Sequence, residues 1–186
     1  MTAKEGIAMG DKAPMTDVKM KNATREGALS IADVKGDKGT LVIFSCNHCP
    51  YVVAWEDRIA QIGNSYMKKG FGVIAINSND PATYPSDGFD HMVTRAKEKG
   101  FEFPYVVDAT SDVARAYGAE RTPEVFLFNA DDELVYHGAV DDNSENADMV
   151  EKTYLKDALD AVLAGREVPM KETKAIGCSI KFRKSD

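Results

Sequence analysis

The chain has 186 residues and a formal net charge of −7, from 23 Lys and Arg against 30 Asp and Glu. That length suits one well-buried domain and is short for two, and the acidic balance argues against a nucleic-acid partner. No stretch approaches the ~18 apolar residues of a membrane span. Residues 1–14 mix Lys4, Glu5, Asp11 and Lys12 with glycines and carry no apolar leader core, so a cytoplasmic protein with no membrane partner is expected.

In chain order, Val18 and Met20 alternate with charged neighbours, Asn22 to Gly27 is turn-rich, and Leu29-Ser30-Ile31 resumes apolar character. A short two-stranded preamble over 1–39 is expected. After a loop over 35–39, Thr40 to Ser45 has the composition of a buried central strand. Val52, Trp55, Ile59, Ile62 and Tyr66 then recur at intervals of three and four, which predicts a helix from Tyr51 to Lys69 stopped by Gly70. Glu56 and Asp57 fall off that apolar stripe.

A second buried strand is expected over 71–76, then a polar loop over 77–88 broken by Pro81 and Pro85, then a helix from Phe89 closed by Gly100. A strand over 104–107, a small helix from Ser111 to Gly118, and a hairpin of 124–128 with 134–140 follow. Residues 141–148 are expected to form a solvated acidic loop, and 150–164 a last helix before a basic tail over 166–186. This order predicts one α/β domain, a mixed sheet with helices on both faces and a core over 40–165. A site then belongs at the C-terminal end of the first parallel strand.

Cys46-Asn47-His48-Cys49 lies at that position, ahead of Pro50 and the first long helix. The thiolate is the nucleophile in disulfide chemistry, and a helix N-terminus stabilises it through free N–H groups and the macrodipole. Cys46 is expected to be the exposed nucleophile and Cys49 the buried resolving thiol. His48 and the helix end should pull the Cys46 pKa below the free-thiol value of ~8.5 and make the pair more oxidising. An odd count of three cysteines makes no structural disulfide framework, and in a reducing compartment a CxxC serves catalysis or metal binding. Zinc needs four ligands in a structural site, and the chain offers no second CxxC, so neither a metal nor another cofactor is expected. Cys178 is expected to be a small buried hydrophobe; the other reading makes it resolve a sulfenic acid or mixed disulfide on Cys46.

With Thr122-Pro123 opening a distant apolar strand, this arrangement resembles the thioredoxin superfamily. Gly10-Asp11-Lys12-Ala13-Pro14 looks like the entry to its peroxiredoxin and TlpA-like branches. Cys46 to Val52, Ile76-Asn77-Ser78-Asn79-Asp80, Thr122-Pro123-Glu124 and Gly177-Cys178-Ser179-Ile180-Lys181 are similar to the peroxiredoxin-like group of the alkyl hydroperoxide reductase/thiol-specific antioxidant family. The resemblance implies a thioredoxin-like fold with an N-terminal β extension and a cis Pro123 beside the cysteines. It places Glu124 near them, where a carboxylate can move protons to or from Cys49. It further implies a thiol–disulfide oxidoreductase in redox homeostasis, acting on a protein or small-molecule disulfide with a thiol reductant such as thioredoxin or glutathione. The peroxidatic pattern P-x-x-x-[T/S]-x-x-C is not met: counting back from Cys49 gives Cys46 and Val42, and from Cys46 gives Ile43 and Gly39. An antioxidant peroxidase is therefore the alternative function, and a redox- or metal-responsive binding module the second.

Overall fold

A computed structural model describes residues 6–184. The preamble forms β1 (Met20–Asn22) and β2 (Ala28–Leu29), followed by a single helical turn, α1 (Ile31–Val34). Ser30 caps that turn reciprocally: its hydroxyl accepts from the Asp33 N–H at 3.2 Å, and the Asp33 carboxylate accepts from the Ser30 N–H at 2.8 Å. Next come β3 (Gly39–Phe44), α2 (Pro50–Met67), β4 (Phe71–Asn77), α3 (Phe89–Lys99), β5 (Tyr105–Val107) and α4 (Asp112–Tyr117). β6 (Arg121–Thr122), β7 (Glu124–Asn129), β8 (Leu134–Gly138), α5 (Tyr154–Leu163) and β9 (Cys178–Ser179) complete the chain.

The main sheet has the order β2-β1-β5-β4-β3-β7-β8, with β3, β4 and β5 parallel and β7 antiparallel to β3. All six residues of β3 are buried, as a strand covered on both faces requires. Side chains alternate between the faces. Leu41 and Ile43 join Val125, Leu127, Trp55, Ile59, Met92 and Leu155 in the cluster under α2, α3 and α5. Val42 and Phe44 join Phe126, Phe128, Val113 and Tyr117 in the cluster under α4. This is the mixed, helix-flanked sheet expected from the order of elements.

Three expectations need correction. Glu56 is buried, because α3 brings Arg95 to 2.6 Å from its carboxylate. A helix face that looks solvated by periodicity alone is here closed by a second helix. The acidic stretch is no solvated turn at its start: buried Asp141 accepts from Trp55 Nε1 at 2.8 Å and from Arg58 at 2.7 Å. Arg58 also donates to the Asn143 and Ser144 carbonyls at 2.6 and 2.7 Å. Lastly, α5 begins at Tyr154, four residues later than expected.

The tail is ordered by backbone pairing. His137 N–H donates to the Lys171 carbonyl and Thr173 N–H to the His137 carbonyl, each at 3.0 Å. These bonds lay 171–173 along the free edge of β8 before the chain crosses to pair β9 with β6. No helix of the described residues is long and apolar enough to cross a membrane.

α2 seats its middle on the core through Gly63, where an added Cβ would overlap the Phe103 ring and lie 2.6 Å from its Cδ1. Gly63→Ala in an ordinary helix would gain about 1 kcal/mol. Overpacking against a fully buried ring costs about 1–3 kcal/mol and should win. Urea titration of Gly63→Ala is expected to show net destabilisation of up to ~2 kcal/mol; a stabilised variant would contradict this packing.

Candidate redox site

β3 ends at Phe44 and α2 begins at Pro50, so residues 45–49 form the loop above the sheet. Cys49 is the N-cap of α2, and Pro50 occupies the first helical position, where a missing N–H costs nothing. Opposite, Phe44 pairs with Glu124 in the β3–β7 register, which sets the preceding residues, Thr122 and Pro123, against the cysteine loop. The Thr122–Pro123 bond is cis.

Cys49 is disulfide-bonded to Cys178, with the two Cα atoms 6.0 Å apart, and Cys46 is the free thiol. This corrects the expected pairing within the CxxC. It also corrects Cys178, which is a disulfide partner and no mere space-filling hydrophobe. The cause is tertiary: β9 pairs antiparallel with β6, opposing Cys178 to Thr122. Thr122 in turn sits beside both other cysteines. Its hydroxyl lies 3.3 Å from Cys46 Sγ, and its carbonyl oxygen 3.4 Å from Cys49 Sγ.

Cys46 is not exposed. It retains 3 % of its accessible surface and Cys49 6 %, whereas Cys178 is half-buried. Burial pushes the Cys46 thiol above its ordinary pKa, reinforced by the nearby Asp87 carboxylate. Hydrogen bonds from Thr122 and from the Cys49 and His48 backbones pull the other way and lose. The direction is opposite to the expected depression, because desolvation outweighs the hydrogen bonds to the sulfur. His48 contributes its backbone, while its imidazole is exposed with its centroid 6.0 Å from that of His91.

Asp87 is the residue that the sequence reading missed. It is buried and accepts from the Asn47 N–H at 2.8 Å, from Asn77 Nδ2 at 3.3 Å and from Asn79 Nδ2 at 2.9 Å. The Asn47 side chain donates to the Ser86 carbonyl at 3.0 Å and accepts from the Tyr105 hydroxyl at 2.8 Å. One carboxylate thereby ties the cysteine loop to the end of β4. Within a polar loop that holds two prolines, nothing local marks Asp87 out; its partners come from the cysteine loop and from the end of β4.

Glu124 does not contact a cysteine. Its carboxylate accepts from the Glu120 and Arg121 N–H groups at 3.0 Å each and lies 2.6 Å from His137 Nε2. It holds the turn that presents Thr122, a positioning task. Among the described residues no group of three or more His, Cys, Asp or Glu is placed to hold a metal ion.

The family model described as Redoxin matches residues 8–154, and the chain belongs to that family. An uncharacterized conserved protein from Geobacillus kaustophilus has a solved structure 40% identical, covering 96% of this chain and 94% of its own, with a TM-score of 0.90. A hypothetical protein from Sinorhizobium meliloti 1021 is 36% identical, covering 97% and 98%, with a TM-score of 0.88. The thiol-disulfide oxidoreductase ResA of Halalkalibacterium halodurans is 26% identical over 108 residues, which are 58% of this chain and 57% of that protein. The chain therefore spans little more than half the length of that curated relative. Solved structures under 25% identical share the thioredoxin-like fold.

A raised thiol pKa means that the fold disfavours the Cys46 thiolate. Its contribution to stability is complete below the unfolded value of ~8.5 and is lost as pH rises through the folded value. Iodoacetamide alkylation of Cys46 in the oxidised protein should show a midpoint above that of a free thiol. Asp87→Asn, which removes the neighbouring charge, should lower it. A wild-type midpoint at or below the free-thiol value would refute the assignment.

Proposed function

We propose that this chain is a thiol–disulfide oxidoreductase in which Cys49 and Cys178 form the working pair and Cys46 is a buried third thiol. The observation that carries this reading is the Cys49–Cys178 disulfide at the N-terminus of α2, with its less buried sulfur on the tail strand. A dithiol reductant attacks Cys178 Sγ, the disulfide breaks, and Cys49 leaves as a thiolate at the helix end, where the dipole favours negative charge. The second thiol of the reductant then releases Cys178, so the reductant is oxidised and the pair reduced.

Toward a substrate R–S–S–R the pair runs in reverse. Cys178 attacks one substrate sulfur and expels the first thiolate. Cys49 then attacks Cys178 Sγ, expels the second thiolate and closes the disulfide again. Cys46 stays protonated near neutral pH through burial and Asp87. Its attack on Cys49 would expel Cys178 and move the bond into the CxxC with no net oxidation. In a cytoplasmic setting, where a disulfide is transient and catalytic, a small dithiol would serve as donor.

Turnover of hydroxyethyl disulfide with a dithiol donor tests the pair. Cys49→Ser and Cys178→Ser should each lose about 100-fold or more, since either removes one half of the exchange, and Cys46→Ser should keep most activity. Loss in Cys46→Ser with full activity in Cys178→Ser would assign the work to the CxxC instead. Hydroperoxide consumption far faster than that of free thiols, surviving with one cysteine intact, would favour the peroxidase.

A further inference from the structure

An extended polypeptide binds an open sheet edge by adding its own backbone to it. Beside the sulfurs that edge is Arg121–Thr122, just before Pro123, which has no N–H to pair. In this chain the edge is taken. Ser179 pairs with Arg121 and Cys178 with Thr122, and Ile180 N–H donates to the Glu120 carbonyl at 2.8 Å.

We propose that β9 is a permanent occupant of this edge, which restricts the site to small disulfides and excludes polypeptide ones; the substrate class rests on the oxidoreductase reading above. Gly177 lets the strand press in: a Cβ there would overlap the Thr122 carbonyl oxygen and lie 2.7 Å from its carbon. Arg121 donates to the Gly177 carbonyl at 3.2 Å.

Both flanks of β9 are secured independently of the disulfide. Downstream, Ile180 is buried at 5 % in the core cluster under α4. Lys181 N–H donates to Asn79 Oδ1, Asp80 N–H to the Lys181 carbonyl, and Arg183 N–H to Ser111 Oγ, each at 2.8 Å. Upstream, 171–173 are bonded to β8. Breaking the Cys49–Cys178 bond removes none of these contacts, so the strand stays when the pair is reduced. What remains open is the half-buried Cys178 beside exposed Ser179. A small disulfide can reach that rim without a backbone partner; a strand cannot pair there.

Two measurements test this. Hydroxyethyl disulfide should be reduced readily by the wild-type protein and insulin scarcely, and Ile180→Glu, which lifts the strand's anchor, should raise the ratio of insulin to hydroxyethyl disulfide reduction by about tenfold. Wild-type reduction of insulin at a comparable rate would overturn the proposal. Amide hydrogen exchange on the wild-type protein provides a readout independent of turnover and of whether the variant folds. The amides of Asp80, Ile180 and Lys181 should be protected equally in the oxidised and reduced states, and their loss of protection on reduction would overturn permanence. Failure to reduce either disulfide would instead sink the oxidoreductase reading, and the exchange result would still decide whether the edge is permanently filled.

Discussion

The register of β3 is the constraint on which the site depends. Six consecutive residues pair with β4 on one side and β7 on the other, from Gly39 to Phe44, and none of the six is exposed. A slip of one residue would turn Leu41 and Ile43 out of one apolar cluster and Val42 and Phe44 out of the other. With that penalty on both faces, the end of β3 and the start of β7 are locked to one another. The cysteine loop and Thr122–Pro123 meet because each is joined directly to a strand that cannot shift.

Around that junction, buried polar groups do what apolar packing cannot. Asp87 collects donors from the cysteine loop and from the end of β4, and Glu124 collects donors from the turn before Thr122. Each carboxylate fixes backbone close to the cysteines. Leaving such donors unmet in the interior would cost about 1–3 kcal/mol apiece. The same Asp87 charge that orders the loop opposes a thiolate on Cys46. Position and reactivity of the free thiol are thereby coupled through one side chain.

The tail shows how a strand of two residues can matter. β9 has too few residues to be stable by itself, yet it carries Cys178 to Cys49 across a sequence separation of 129. Its place is secured by Ile180 in the core and by bonds to three separate segments. Closing so long a loop is entropically costly for a free chain; here the cost is shared among contacts that do not involve sulfur.

Much of the fold could be read from periodicity, because burial leaves a period in the sequence. The continuous apolar runs of β3 and β4, the three-and-four stripe of α2 and the glycine that closes α3 all stand within a residue or two of their observed places. The location of the cysteines at a strand end and helix start followed from the same local signals. Tertiary structure alone decided which sulfurs are joined, which thiol is buried and what Glu56, Asp87, Glu124 and Asp141 are for. Spacing along the chain can say that Cys46 and Cys49 are near each other. It cannot say that a strand from the far end arrives at Thr122 and brings a third sulfur closer in bonding terms than the second. A pairing is settled by positions in space, and those are set by registers and buried charges drawn from every part of the chain.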